Sequence, residues 1–259
     1  MERRIEAIIK EAGKIMLSAR DKNMSVDEKR GCANFVTEYD VKVQNFLEEK
    51  FLELIPNASF LAEEEGEDEN KVGKGYTFII DPIDGTTNFL YNMNRSAISV
   101  ALAKDGDVIF GAILNPYTDE YFCAKKGEGA YLNGKRIYVS EAENEKTLAI
   151  IGTAPYYKET IGEKTVKLFK ELYFNFGDVR RSGSAAIDFC DIARGSASVF
   201  FEYVLSPWDY AAGALIVSEA GGIVSDFSGN ALDKFEKSTV VAASCKAYPA
   251  IMEICSKIY

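Results

Sequence analysis

The chain has 259 residues, with 40 Asp and Glu against 30 Lys and Arg, no His and five Cys. Without imidazole, Ser-His-Asp and Cys-His catalysis, the H-E-x-x-H zinc helix and phosphohistidine chemistry are excluded, so a general base has to be a carboxylate, Lys, Tyr, Cys or metal-bound water. The formal charge of −10 argues against a nucleic-acid backbone as the main ligand, which needs a basic footprint, yet it is compatible with a phosphate held through cations on a carboxylate cluster.

Ile5, Ile8, Ile9, Ala12, Ile15, Met16 and Ala19 recur at helical spacing and predict an amphipathic helix over 2–20. The charges of Glu6, Lys10 and Glu11 interrupt what a signal peptide would need as an apolar run, and no stretch approaches membrane-spanning length, so a soluble protein with no membrane partner is expected. Residues 21–34 lack periodicity and read as an exposed loop. Val43, Phe46, Leu47, Phe51 and Leu54 predict a second helix starting just after Thr37, and residues 63–71 read as a solvated acidic loop whose first members need separate treatment. From 76 to 151 the pattern is that of strands: YTFIID, SAISVALAK, DVIFGAIL, EYFCAKK and TLAIIG. The last third predicts helices near 158–172, 184–194, 207–220 and 247–258 around strands at 197–203 and 238–243. Helical ends around a strand-rich middle predict stacked layers of helix and sheet in a single compact unit over 1–259, with only a soft division near 145 between a first half (1–145) and a second half (146–259).

The cysteines, Cys32, Cys123, Cys190, Cys245 and Cys255, are odd in number and form no C-x-x-C, which points to reduced thiols in a cytoplasmic protein. None begins a C-x5-R phosphate loop, so a cysteine-based phosphatase is excluded. Gly129 to Lys135 fits G-x4-G-K, but Arg136 stands where Ser or Thr would bind magnesium, and Asn133-Gly134 reads better as a type I′ hairpin turn.

The informative segment is Asp81-Pro82-Ile83-Asp84-Gly85-Thr86-Thr87-Asn88-Phe89, which follows the apolar run 76–80. A buried strand ending in two acids places both at the carboxyl edge of a sheet, where ligands gather. Two anions three residues apart repel one another unless cations sit between them, and oxygen-only ligation suits Mg²⁺. Gly85-Thr86 then offers backbone N–H groups to a phosphate. Asp84 read alone is equally an N-cap in an Asp-Gly turn. Ser206-Pro207-Trp208-Asp209 and Thr37-Glu38-Tyr39-Asp40 each read as a capping sequence, and Glu63-Glu64 as the start of the acidic loop; spacing does not assemble these acids into one site.

With these residues in view, the chain resembles the inositol monophosphatase family of magnesium-dependent, lithium-sensitive phosphatases. Five motifs in order carry the likeness: V-T-x-x-D (Val36 to Asp40), E-E (Glu63-Glu64), D-P-I-D-G-T-T-N-F, G-S-A-A (Gly183 to Ala186) and W-D-x-A-A-G (Trp208 to Gly213). One departure is Ala62, where the family often has Gly. The resemblance implies a layered αβαβα sandwich of the fructose-1,6-bisphosphatase and inositol-monophosphatase kind, binding two or three Mg²⁺. It implies that Glu63, Asp81 and the Ile83 carbonyl hold the first ion, and that Asp81, Asp84 and Asp209 hold the second. It further implies that Gly85 and Thr86 bind phosphate and that Thr86 with Asp40 orients the attacking water, and Lys29 matches the family's loop lysine. The resemblance also implies that Gly183, Ser184 and Ala185 line the sugar or cyclitol, that Glu202 accepts its hydroxyls, and that Arg180, or its neighbour Arg181, reaches in from a partner subunit of a homodimer. The implied reaction is direct hydrolysis of a small phosphomonoester by metal-activated water, with inositol 1-phosphate as the expected substrate. Fructose 1,6-bisphosphate, either alone or as a second substrate, is the alternative; a 3′-phosphoadenosine nucleotide fits less well, and a non-catalytic regulatory dimer is the reading from another class. A haloacid dehalogenase-like phosphatase fits less well, because its two acids are separated by one residue and Asp81 and Asp84 by two.

Overall fold

The computed structural model describes residues 1–19, 26–28, 35–65, 72–152, 158–232 and 235–258. In chain order the elements are α1 (Glu2–Leu17), β1 (Val26–Glu28), β2 (Phe35–Thr37), α2 (Glu38–Leu54), β3 (Ser59–Ala62), β4 (Tyr76–Asp84), α3 (Thr86–Leu90), β5 (Ala97–Lys104), β6 (Asp107–Asn115), β7 (Glu120–Lys125), β8 (Gly129–Leu132), β9 (Lys135–Arg136), β10 (Leu148–Ile151), α4 (Lys158–Asn175), β11 (Asp178–Arg180), α5 (Ala185–Ala193), β12 (Val199–Leu205), α6 (Pro207–Glu219), β13 (Ile223–Ser225), β14 (Ser238–Ala243) and α7 (Tyr248–Ile258).

Strand periodicity sorts these elements into layers. Along β5, Ile98, Val100 and Leu102 face one side with the apolar stripes of α1 and α2 (Ile5, Ile9, Met16, Val43, Leu47, Phe51), while Ala97, Ala101 and Ala103 face the other, against α5 and α6. Small residues on that second face let the helices approach closely. A Cβ at Gly111 of β6 would stand 2.8 Å from the Ala212 carbonyl oxygen, so α6 lies almost on the sheet backbone. All nine residues of α5 are buried, as expected of a helix covered on both sides. Beyond it lies a second sheet, whose Phe200, Val240 and Ala242 face α5 and α6, and whose Val199, Phe201, Val241 and Ala243 face the outer helices α4 and α7 through Leu168, Leu172, Ile251 and Ile254. The result is helix, sheet, helix, sheet, helix, the layered αβαβα sandwich that the family resemblance implies.

The larger sheet has the order β3-β4-β5-β6-β7-β8-β9 and the smaller β11-β10-β12-β14-β13. Within the larger, β3 and β4 run parallel and the remaining neighbours are antiparallel. The parallel pair brings the carboxyl ends of β3 and β4 side by side, with Glu63 just past one and Asp84 closing the other.

Most expected elements are found within one to three residues of their bounds. Asn133 and Gly134 both take positive φ (47° and 76°) between paired Leu132 and Lys135, the type I′ geometry anticipated. The expectation of a loop over 21–34 is corrected at Val26–Glu28, which pairs antiparallel with Phe35–Thr37; the rest of that stretch, with Lys29 and Cys32, lies outside the described residues, as do residues 66–71 of the acidic loop. Strands β3, β11 and β13 are not among the expected elements: at three or four residues each, they are too short to set up an alternation, while β8 and β9 are the arms of the expected hairpin. Cys123, Cys190, Cys245 and Cys255 are free thiols. Among the described residues, no helix is long and apolar enough to cross a membrane.

Candidate active site

Two carboxylates three apart on a regular strand face opposite sides. Asp81 and Asp84 escape that rule because β4 bulges between them: Asp81 pairs with Ser99 and Asp84 with Ala97, so three steps on β4 match two on β5. The extra residue brings both acids to one side, where Asp209 meets them. Carboxylate oxygens of Asp81, Asp84 and Asp209 lie within 4.8 Å of one another.

Each acid is fixed by local hydrogen bonds. Asp81 accepts the Ile83 N–H at 3.0 Å. Asp84 Oδ2 accepts the Ser184 hydroxyl at 2.5 Å and the Ala186 N–H at 2.7 Å, so one of its oxygens is spent on the start of α5. Asp209 is the third residue of α6, after N-cap Ser206 and Pro207, and its Oδ2 takes the Ser206 N–H at 2.7 Å in a capping box. Capping therefore holds the Asp209 carboxylate beside the other two instead of competing with that placement.

A similar box shapes the neighbouring corner. Asp40 Oδ2 accepts the Thr37 N–H at 2.8 Å and the Thr37 hydroxyl at 2.5 Å, leaving Oδ1 3.3 Å from the Thr86 hydroxyl. Thr86 Oγ also lies 3.2 Å from the Ile83 carbonyl oxygen, so its single proton is shared between two acceptors. Gly85, with φ 86° and ψ 44°, precedes α3. A Cβ there would come within 3.0–3.2 Å of the Gly183 carbonyl, Ser184 Cβ and the Arg95 carbonyl, so both conformation and space call for glycine.

Electrostatically the corner is one-sided. Burial raises the Asp81 carboxyl well above its ordinary range, and the charges adding to that are Glu63, Asp84, Asp209 and Asp40, all of its own sign. Asp84 is raised to about 6 by burial, against the pull of Ser184 and Ala186; Asp209 is raised well above its range by burial, then by Glu63 and Asp84; Asp40 is raised to about 7, again first by burial. Glu63, in the 3₁₀ turn Glu63–Glu65, stands outside the 4.8 Å cluster while its charge acts on all four aspartates. Three converging, oxygen-only, mutually repelling carboxylates fit a hard divalent cation such as Mg²⁺.

Of the remaining candidates among the described residues, the segment that opens α5 meets this corner. Ser184 is the N-cap of α5, with Gly183 before it and Ala185 opening the helix, and the hydrogen bonds from Ser184 and Ala186 tie that segment to Asp84. Glu202 on β12 is buried, and its carboxyl is raised well above its range by burial and then by Asp209, Asp188 and Asp84, with Arg181 opposing. Arg180 is exposed and paired with Asp178 at 2.5 Å, so within this chain Arg181 is the guanidinium whose charge reaches Glu202. Sequence reasoning missed Gln44, a buried residue of α2 whose Oε1 accepts the Glu64 N–H at 3.0 Å and so steadies the Glu63-Glu64 turn. Its signal was a polar residue one turn after Asp40, between the core positions Val43 and Leu47.

The model of the inositol monophosphatase family matches residues 2–258. The chain is 36% identical over 233 residues to the Nus factor SuhB of Pseudomonas aeruginosa, covering 88% of this chain and 85% of that one. It is 32% identical over 230 residues to the fructose-1,6-bisphosphatase/inositol-1-monophosphatase of Aquifex aeolicus, covering 89% and 85%. Among solved structures it superposes on the Thermotoga maritima IMPase with a TM-score of 0.88 at 29% identity, over 100% of this chain and 98% of the other.

Proposed function

This chain belongs to the inositol monophosphatase family, and from that premise we propose that it is a magnesium-dependent phosphomonoesterase acting on inositol 1-phosphate. The observation that carries the reading is the meeting of Asp81, Asp84 and Asp209 within 4.8 Å at the corner where the Gly85-Thr86 turn begins.

In this reading Asp81, Asp84 and Asp209 would hold one Mg²⁺, and Glu63, Asp81 and the Ile83 carbonyl another. When bound, the ions supply Lewis-acid neutralisation of the phosphoryl oxygens and lower the pKa of water toward neutrality, work for which a chain without His has no imidazole. The chain's own groups do the rest. The backbone N–H groups of Gly85 and Thr86 seat the phosphate. Thr86 Oγ orients the attacking water and takes its proton while passing its own to Asp40 Oδ1, 3.3 Å away. Asp40 is held for that role because both Thr37 donors bind its other oxygen. Gly183, Ser184 and Ala185 line the alcohol portion, and the Glu202 carboxyl accepts its hydroxyls. Lys29 and an Arg from a partner subunit of a homodimer complete the proposed set, in a cytoplasmic protein with reduced thiols.

The test is phosphate release by purified protein, with and without Mg²⁺, from inositol 1-phosphate, fructose 1,6-bisphosphate and 3′-phosphoadenosine 5′-phosphate. Magnesium-dependent preference for the first supports the proposal. Equal use of the second would make the chain a dual sugar and cyclitol phosphatase, the reading favoured by the name of the Aquifex relative. Silence on all three, with Mg²⁺ still bound in calorimetry, would favour a binding role, the reading that the Nus factor name of the Pseudomonas relative brings.

A further inference from the structure

Asn88 lies on α3, only 7% exposed, and has no part in the chemistry above. Its Nδ2 donates to the Arg95 carbonyl at 2.7 Å and to the Ser182 carbonyl at 2.9 Å. Two carbonyl acceptors are satisfied only by the amide nitrogen, so the partners themselves fix which way the side chain faces. They come from distant parts of the chain: Arg95 from the loop after α3, Ser182 from the loop that leads into α5.

Both partners are anchored a second time. The Arg95 guanidinium meets Asp191 at 2.5 Å and Asp188 at 3.4 Å on α5, and the Ser182 hydroxyl donates to Asp188. Gly183 lies flat on the Asn88 amide, since a Cβ there would be 3.2 Å from both its Nδ2 and its Oδ1. The side chain is thus a two-donor bridge in a frame braced on either side.

We infer that Asn88 is a positioning residue that sets the gap between the Gly85-Thr86 turn and the Gly183-Ser184-Ala185 segment, and so selects phosphomonoesters whose alcohol portion carries hydroxyls for that segment to hold. The inference rests on the phosphatase reading. A cyclitol phosphate spans both sides of the gap. An aryl phosphate without further hydroxyls depends on the phosphate side alone. Removing the bridge therefore weakens binding of the first ester and leaves the second unaffected.

The test is the series Asn88, Asn88→Ser and Asn88→Ala, offering two donors, one and none, assayed with Mg²⁺ on inositol 1-phosphate and on p-nitrophenyl phosphate. KM for inositol 1-phosphate is expected to rise along the series, reaching roughly tenfold in Asn88→Ala, with kcat within about twofold; both parameters for p-nitrophenyl phosphate stay within about twofold. A merely structural loss would lower the active fraction, and with it kcat on both esters, without splitting KM between them. Should Asn88→Ala fail to fold, Asn88→Ser carries the reading. Equal changes on the two esters, or an unmoved KM, overturn the inference while the phosphatase reading stands. No turnover of either ester by the unaltered chain overturns both.

Discussion

Two groups of buried acids sit against the same middle helices and are treated in opposite ways. Around Asp188 and Asp191 of α5, the protein supplies its own cations: Asp191 gives one oxygen to Arg95 at 2.5 Å and the other to Arg194 at 2.6 Å, and Arg194 also holds Glu120 at 2.6 Å. Around Asp81, Asp84 and Asp209, the described charges that act most on Asp81 are Glu63, Asp84, Asp209 and Asp40, all of its own sign. Neither sequence composition nor burial separates the two groups. Compensation does: a paired cluster braces the fold, whereas an unpaired one is a standing demand for a cation from outside.

The largest effect is expected from Asp81→Asn, which removes the central member of the unpaired group. Turnover should fall by more than roughly a thousandfold, about 4 kcal/mol in the barrier, while the metal-free protein melts no lower than the parent. Retention of a tenth of the parental rate would break the proposed role of Asp81 as a ligand of both ions. Next comes Mg²⁺ itself: at a hundred times its dissociation constant it should stabilise the parent by about 2.7 kcal/mol, read as a rise in melting temperature that Asp81→Asn lacks. An equal rise in both proteins would mean that the ion binds elsewhere.

Asp191→Asn probes the paired group and should destabilise by about 2 kcal/mol. That is less than the 3–5 kcal/mol of a fully buried pair, because Arg95 and Arg194 side chains keep 35% and 28% exposure and water screens them. Its Mg²⁺-induced rise should persist; loss of that rise would show that the two groups are not separable. The last effect is a slope in pH and concerns Asp188, raised to about 8 chiefly by burial. Between the unfolded value near 3.8 and the folded value near 8, the native state keeps a proton that the unfolded chain has lost, so stability falls as pH rises through that window. Asp188→Asn should flatten this slope, whose ceiling is about 1.4 kcal/mol per pH unit. Melting curves at pH 5 and 7.5 with saturating Mg²⁺ would check it, and an unchanged slope would show that Asp188 titrates in its ordinary range.

The sequence by itself determined whatever depends on neighbours three or four residues apart. The stripes of α1 and α2, the hairpin at Asn133-Gly134, and the boxes of Thr37 with Asp40 and Ser206 with Asp209 were legible because turn and cap energetics are local. So was the exclusion of imidazole chemistry. The D-P-I-D segment announced two acids at a strand end, but a regular strand would have sent them to opposite faces, and only the register of β4 against β5 showed the bulge that unites them. Spacing did not assemble Asp209 with them, though the family resemblance implied it; tertiary structure alone decided that Ser184 and Ala186 hold Asp84, and that Asp191 has two arginines while the described charges that act most on Asp81 are acids. The physical reason is that charge acts through space: whether a buried carboxylate is a strut or a site depends on what the fold brings near it, and spacing along the chain does not record that.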